Sequence, residues 1–392
     1  MTESYDVIII GGGVTGCATA YFLAAGKFDG SVLIIERDPT YANAPSARST
    51  GGIRQQFSTP ENIGIGLFGA EFVKNIEQYL SIDAEAPAID FKEHGYLLLA
   101  SPDALPLMQA NHAVQRNMGA SIAYQSNDDL SARFSWLATE GLAGGFLGLE
   151  NEGWLDSYSL LQAFRKKAVS LGVTVITDDV TTLRCRKDRV TDLELRSGRS
   201  LSPGVVLNAA GARDATGIAA QVGIDMPVEP RRRCVFVFAC REEIGITPQV
   251  FLPNGVAFRH EGERYLAVVA PPPERDPPTS DFHIDYELFD EIIWPALAER
   301  VPAFEAIKVT NAHSCHYDFN TLDENAILGQ VPGVVNFLVA AGFSGHGLMQ
   351  SPAVGRALSE LIQFGEYRTL DLTRLGYERV LTNTPLLETN CY

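Results

Sequence analysis

Positive charge is in short supply in this 392-residue chain: 31 lysines and arginines stand against 48 aspartates and glutamates, a formal net charge of −17. That balance excludes nucleic acid and anionic membrane surfaces as main partners, while leaving room for a local basic pocket around an anionic ligand. Long apolar runs are missing too; none approaches the roughly 18 residues that a membrane span needs. The opening MTESYDVIII has neither a basic leader nor an Arg-rich amphipathic stretch, so the expected compartment is the cytoplasm. The six cysteines, at 17, 185, 234, 240, 315 and 391, form no CxxC pair, and no His/Cys/carboxylate cluster has zinc spacing. Reduced thiols and no bound metal are therefore expected. Cys234 and Cys240 fall an even number apart in an apolar run, the pattern of strand packing.

The length suits two domains with substantial cores. The most informative stretch is YDVIIIGGGVTGCATAYFLAAGKFDGSVLIIER. Val7–Ile10 predicts a buried parallel strand, Ala18–Leu23 a helix, and Val32–Ile35 a second strand ending at Glu36. Between the first strand and the helix, Gly11, Gly13 and Gly16 satisfy GxGxxG. The first glycine makes the turn, the second lets backbone approach a pyrophosphate, and the third permits close helix–strand packing. The helix N-terminus faces the phosphates, and Glu36 is placed to accept from ribose hydroxyls. Strand, glycines, helix, strand and acid in this order point to a dinucleotide, and Glu36 disfavours a 2′-phosphate.

A small-residue loop with two arginines, SARSTGGIR (46–54), comes next. VVLNAAGA (205–212), HYDFNTLDENAILG (316–329) and AAGFSGHGL (340–348) lie far downstream. With these segments the chain resembles the FAD-dependent amine oxidoreductases of the D-amino-acid oxidase superfamily, across essentially its whole length. The branch is similar to the sarcosine oxidase, dimethylglycine dehydrogenase and proline dehydrogenase β-subunit group. The stretches EPRRRCVFVF and WPALAERVPAF also resemble mitochondrial FAD-dependent oxidoreductase-domain proteins associated with complex I assembly.

The resemblance implies an α/β (α+β) two-domain fold: a Rossmann-type FAD-binding domain (1–88, 150–224 and 320–392) and a substrate domain (89–149 and 225–319) with a large mixed or antiparallel sheet. It implies FAD, held non-covalently, as cofactor. It places Gly11, Gly13, Val14, Thr15, Gly16, Glu36 and Arg37 at the nucleotide, with Ala47, Arg48, Ser49, Gly51 and Gly52 on the arginine loop. Val180, Ala210 and Gly211 fall near the adenine side. Gly342, Gly345, His346, Gly347, Leu348 and Met349 fall around the flavin, where a helix N-terminus stabilises negative charge on the carbonyl edge.

For the substrate, the resemblance implies an amino-acid-like carboxylate held by Arg54, whose fork matches a carboxylate bidentately; a surface arginine or phosphate contact is the alternative. Arg48 either touches FAD or caps its own loop. Arg259, in a hairpin with its turn at Glu261–Glu263, either holds a second carboxylate or is solvated near the tip. Tyr317 is a candidate substrate hydrogen-bonding group, His346 a candidate catalytic neighbour of the flavin, and Met349 a substrate contact. Cys315 falls where some relatives attach FAD covalently. Two departures matter: Met349 and the segment RYLAVVA (264–270) stand where sarcosine oxidases carry lysines, the second promoting reaction with O₂. Arg264 is near in sequence. Sarcosine itself is therefore disfavoured, and a dehydrogenase passing electrons to another acceptor or a partner subunit is favoured.

The implied reaction is oxidation of the C–N bond of an amino acid or an N-substituted or cyclic amino acid, by hydride transfer to flavin N5, giving an imine. Oxidation of a 2-hydroxy acid, or a role as a flavoprotein assembly factor or non-catalytic subunit, are the alternatives. Locally, Arg231–Arg233 predicts a solvated or inter-domain ion-pair cluster and APPPERDPPTSD (270–281) a surface loop. The helical segment at 285–304 predicts a break or kink at Pro295, and Pro352 is expected in the first turn of the last long helix.

Overall fold

The computed structural model describes residues 3–390, and Cys391 lies outside them. The first apolar run forms a strand that starts earlier than predicted, Glu3–Ile10, and the following helix is longer at both ends, Val14–Ala25. The second strand, Val32–Glu36, ends on the predicted acid. Five strands lie parallel in one sheet: Thr174–Thr177, Val32–Glu36, Glu3–Ile10, Ser200–Asn208 and Phe337–Ala341, in that spatial order. Ile327–Gln330 closes one edge antiparallel, and Val180–Arg186 with Arg189–Leu195 forms an antiparallel branch. Alternation along Glu3–Ile10 serves two cores at once: Val7 and Ile9 pack with Leu23, Phe72 and Phe164, while Ile8 and Ile10 pack with Leu193, Val206 and Val339.

A second eight-stranded sheet runs from Ile307–Asn320 through Val228–Cys240, Arg264–Val268, Ala257–Glu261, Gln249–Phe251, Tyr96–Ala100 and Gly144–Gly148 to Ile122–Gln125. Only the Gln249–Phe251/Tyr96–Ala100 pair is parallel, so the sheet is mixed. Its two longest strands pair from Val228↔Asn320 to Cys240↔Ile307. This ribbon carries Arg233 and Tyr317 to the first sheet at one end and apolar residues into the second core at the other. Cys234 and Cys240 lie on that strand, as their spacing predicts. The 255–269 hairpin also forms as expected.

Two prolines mark irregular helix positions. Pro352 is not in the first turn: the helix is Gly347–Phe364, capped at His346, so Pro352 is its sixth residue. Its missing N–H would have bonded the Leu348 carbonyl, and the Ser351 hydroxyl donates to that oxygen instead, at 2.8 Å. Of the break or kink expected at Pro295, no break is seen, but the helix is irregular just before it. A π turn, Phe289–Ile293, immediately precedes it and the helix resumes over Trp294–Arg300.

The arginine run is pinned rather than solvated. Arg231 pairs with Glu229, Arg232 with Asp281, and Arg233 with both oxygens of Asp276 at 2.7 and 3.0 Å. The proline-rich loop therefore folds back on the ribbon through its two aspartates. Among the described residues no helix is long and apolar enough to cross a membrane, and no His/Cys/carboxylate cluster could hold a metal.

Candidate functional site

A cleft of about 1750 Å³, open to solvent, runs from the Gly11–Thr15 turn to the ribbon end at Arg233 and Tyr317. At its first end the backbone leaves no room for side chains. Gly11 sits at φ +101°, and a Cβ there would collide with the Ala209 carbonyl; a Cβ on Gly16 would collide with the carbonyl of Gly11. Glu36 Oε2 accepts from the Gly12 N–H at 2.9 Å and Oε1 from the Asp38 N–H at 2.8 Å, which fixes the acid at the strand end. Burial is the main influence on Glu36 and raises its pKa. The helix Val14–Ala25 has no cap from its own N-cap residue, and the Ser46 hydroxyl accepts from the Val14 N–H at 3.2 Å.

Of the residues singled out in the sequence, Gly11, Gly13, Val14, Thr15, Glu36 and Arg37 line the cleft, as do Ser49, Val180, Ala210 and Gly211. From the late glycine turn, Gly345, Gly347 and Leu348 reach its wall, so the uncapped N-terminus of the helix Gly347–Phe364 faces the space. Gly345 has φ +95°, and a Cβ there would collide with the Tyr317 ring, which also lines the cleft. The Arg233 guanidinium lies 5.1 Å from the centroid of that ring.

Other predicted residues stand behind the wall. Gly16, Gly51 and Gly52 are packing positions: Gly51 is tight against the Leu155 carbonyl and Gly52 against the Tyr96 hydroxyl. Gly342 packs on Asn320 and Val228, and Ala47 lies in a short helix, Pro45–Arg48. Arg48 caps its own loop, donating through Nε to the Ala42 carbonyl at 2.7 Å, and reaches the ribbon through Nη1 to the Ser314 carbonyl at 2.9 Å. Cys315 lines the cleft as a buried thiol, and burial pushes its pKa up to about 12. Arg264 is exposed and donates to the Thr310 hydroxyl at 3.0 Å, away from the cleft.

Arg54 and His346 come together although the sequence treats them separately. Arg54 is 2 % exposed, and its Nη2 lies 2.9 Å from His346 Nε2 and 2.8 Å from the Asn390 carbonyl. Its guanidinium sits 4.4 Å from the Phe57 ring centroid. Because arginine has no acceptor, His346 Nε2 accepts. Burial, reinforced by the Arg54 charge, pushes the imidazole down to about 3, so His346 is neutral. Met349 is buried nearby, its Cε 3.7 Å from where a Cβ on Gly52 would lie.

The sequence reading missed what holds Arg54. Glu152 is fully buried and accepts from the Gln55 N–H at 2.7 Å, the Gln56 N–H at 3.1 Å and Gln56 Nε2 at 2.9 Å. Those bonds clamp the backbone immediately after Arg54. Also missed were Tyr96, which stacks on Phe251 at 5.9 Å, and Trp154, whose ring lies under Arg259 at 4.6 Å. Arg259 is itself 3 % exposed rather than solvated at a hairpin tip. None of these carries a local motif. The glycine turn without side chains, the two helix N-termini that lack a cap from their own N-cap residues and the fixed acid together fit a flavin dinucleotide laid along the cleft.

Comparison with known proteins agrees with that geometry. The family model described as FAD dependent oxidoreductase (DAO) matches residues 6–361. The chain is 40% identical to FAD-dependent oxidoreductase domain-containing protein 1 of Xenopus laevis, over 99% of this chain and 85% of that one. It is 24% identical to monomeric sarcosine oxidase of Bacillus sp. (strain B-0618), covering 93% of this chain and 94% of that one. The structure of L-proline dehydrogenase from P. horikoshii superposes with a TM-score of 0.86 at 23% identity, covering 97% of this chain and 99% of that one. This chain belongs to the DAO family of FAD-dependent oxidoreductases.

Proposed function

We propose that this protein oxidises the C–N bond of an amino acid, or of an N-substituted or cyclic amino acid, to the corresponding imine. The observation that carries the reading is the pair of buried guanidinium groups, Arg54 and Arg259, both within electrostatic reach of the Tyr96 phenol. Tyr96 stacks on Phe251, a cleft-wall residue at the end where Tyr317 also lies. Arg259 already pairs with Glu261 at 2.6 Å; a guanidinium fork matches a carboxylate bidentately, and a substrate carboxylate suits such a basic place in a strongly acidic chain.

In this reading residues 1–88, 150–224 and 320–392 form the FAD-binding unit, and 89–149 with 225–319 cover the substrate. Gly11, Gly13, Val14 and Thr15 would hold the pyrophosphate, Glu36 the ribose, and Gly345, Gly347 and Leu348 the flavin. FAD, when bound, supplies the acceptor for the substrate hydride. Arg54 orients the substrate by its carboxylate, and Tyr317 is a hydroxyl-bearing wall residue available to the amine. His346, neutral at working pH, holds Arg54 and moves no proton at Nε2. Phe251, Val235 and Phe343 supply apolar wall to the cleft, the kind of surface that limits water at a reacting carbon. The Cys315 thiol, raised by burial, disfavours the thiolate that a covalent flavin link requires.

Anaerobic titration of the yellow protein with N-alkyl and cyclic amino acids, and separately with 2-hydroxy acids, tests this. The reading expects bleaching by amines only, and slow reoxidation in air for a dehydrogenase. Acid precipitation should release all the colour.

A further inference from the structure

The Arg259 neighbourhood contains more than one unused donor. Arg259 Nε and Nη2 both donate to Oε2 of Glu261, at 3.0 and 2.6 Å. Its Nη1 is buried and has no hydrogen-bond partner among the described residues. Below it lies Trp154, 2 % exposed, whose indole Nε1 is buried and equally without a partner. Both groups only donate. Leaving such groups unmet is costly, more so for a charged one, and two adjacent unmet donors suit one oxygen acid.

The chain ties this pair to the substrate end. Trp154 pairs with Gly52 in a two-stranded ribbon, two residues before Arg54. Gly52 packs against the Tyr96 hydroxyl and near Met349 Cε. Glu261 is partly exposed at 34%, so solvent screens its charge. Lys92, which pairs with Asp90 at 3.0 Å, and His94 stand close by, the His94 ring 5.3 Å from Trp154. The surroundings therefore do not oppose a second anion.

We propose that Arg259 Nη1 and Trp154 Nε1 form a second anion site that takes a distal carboxylate, so that the substrate class is an N-substituted or cyclic amino acid with two acid groups. This rests on the reading in which Arg54 holds the carboxylate next to the reacting carbon. Met349 then contacts the apolar stem between the two acids, where a lysine would compete for them.

The probes are succinate and butyrate, titrated against the flavin spectrum of the holoprotein. They match in chain length and differ in the second acid. Succinate should bind about tenfold more tightly, the value of one charge-assisted hydrogen-bonded contact. Trp154→Phe, which keeps the ring, and Arg259→Lys, which keeps the charge beside Glu261, should each bring the ratio near one. Equal binding of the two probes by the natural chain overturns the proposal, as does an unchanged ratio in both variants. Neither probe can be oxidised at a C–N bond, so a succinate preference stands even if no amino acid bleaches the flavin. Conversely, bleaching by single-acid amino acids without a succinate preference leaves the proposed reaction intact and removes the second site.

Discussion

Arg54 Nη2 stands 2.9 Å from His346 Nε2, a contact between residues 292 positions apart. It joins the loop that follows the nucleotide cradle to the glycine turn that begins the helix Gly347–Phe364. Arginine keeps its charge at any working pH, so the histidine is held as the neutral acceptor with its remaining proton on Nδ1. The cation proposed to anchor substrate is thereby fixed by a group that does not compete for its charge.

Replacing Arg54 by methionine removes a buried charge-assisted contact, for which about 2–5 kcal/mol is typical. The expected result is a rise in KM of about 30-fold or more, with a smaller fall in kcat. Steady-state kinetics with the substrate that bleaches the flavin checks the split. A fall in kcat alone would place Arg54 outside substrate binding.

The buried acids and His346 give stability opposite pH dependences. Burial pushes Glu152 up to about 7 and Asp318 up to about 6. Each takes up protons more readily folded than unfolded, so its contribution is complete below the ordinary carboxylate range and is lost as pH rises through the folded value. His346, lowered to about 3, acts the other way: its contribution is complete above the ordinary histidine value near 6.5 and is lost as pH falls from there toward 3. Glu152→Gln should flatten the loss of thermal stability between about pH 4.5 and 7.5. Melting curves across that range are the measurement.

Gly11→Ala and Gly345→Ala should both yield colourless protein. At each position the new Cβ meets a positive φ and an immovable neighbour, the Ala209 carbonyl or the Tyr317 ring. The absorbance ratio of flavin to protein after purification reads the loss directly. Far-ultraviolet circular dichroism distinguishes loss of cofactor from loss of fold.

Arg379 and Asp323 form a buried ion pair at 2.7 Å, and Arg379 also donates to the carbonyls of Leu375, Asn325 and Ala326. Asp323→Ala leaves that cation buried without its carboxylate and should cost about 3–5 kcal/mol. Denaturant unfolding of the holoprotein measures it. Replacement by asparagine, which keeps an acceptor, should cost less.

Some of this architecture was legible because backbone carries it. The turn at Gly11–Gly16 and the acid at Glu36 sit at fixed offsets from strand and helix, so spacing alone located them. The hairpin turn at Glu261–Glu263 was readable for the same reason. Arg259 was placed correctly on its strand but not in its surroundings, because Trp154 arrives beneath it from a ribbon formed with Gly52. Glu152 left no signal: its role depends on meeting the N–H groups of Gln55 and Gln56 nearly a hundred residues earlier. Pro352 misled because the rule for prolines in a first turn ignores a side chain such as Ser351, which supplies the missing donor.

The most direct test is a single anaerobic turnover followed by product analysis. One equivalent of an N-substituted amino acid is mixed with the oxidised protein, and the solution is quenched with borodeuteride. The account predicts that bleaching is matched, mole for mole, by amino acid carrying one deuterium at the carbon that lost hydride, the mark of an imine. Bleaching by a 2-hydroxy acid with no deuterium entering the amine, or no bleaching across the panel, contradicts it.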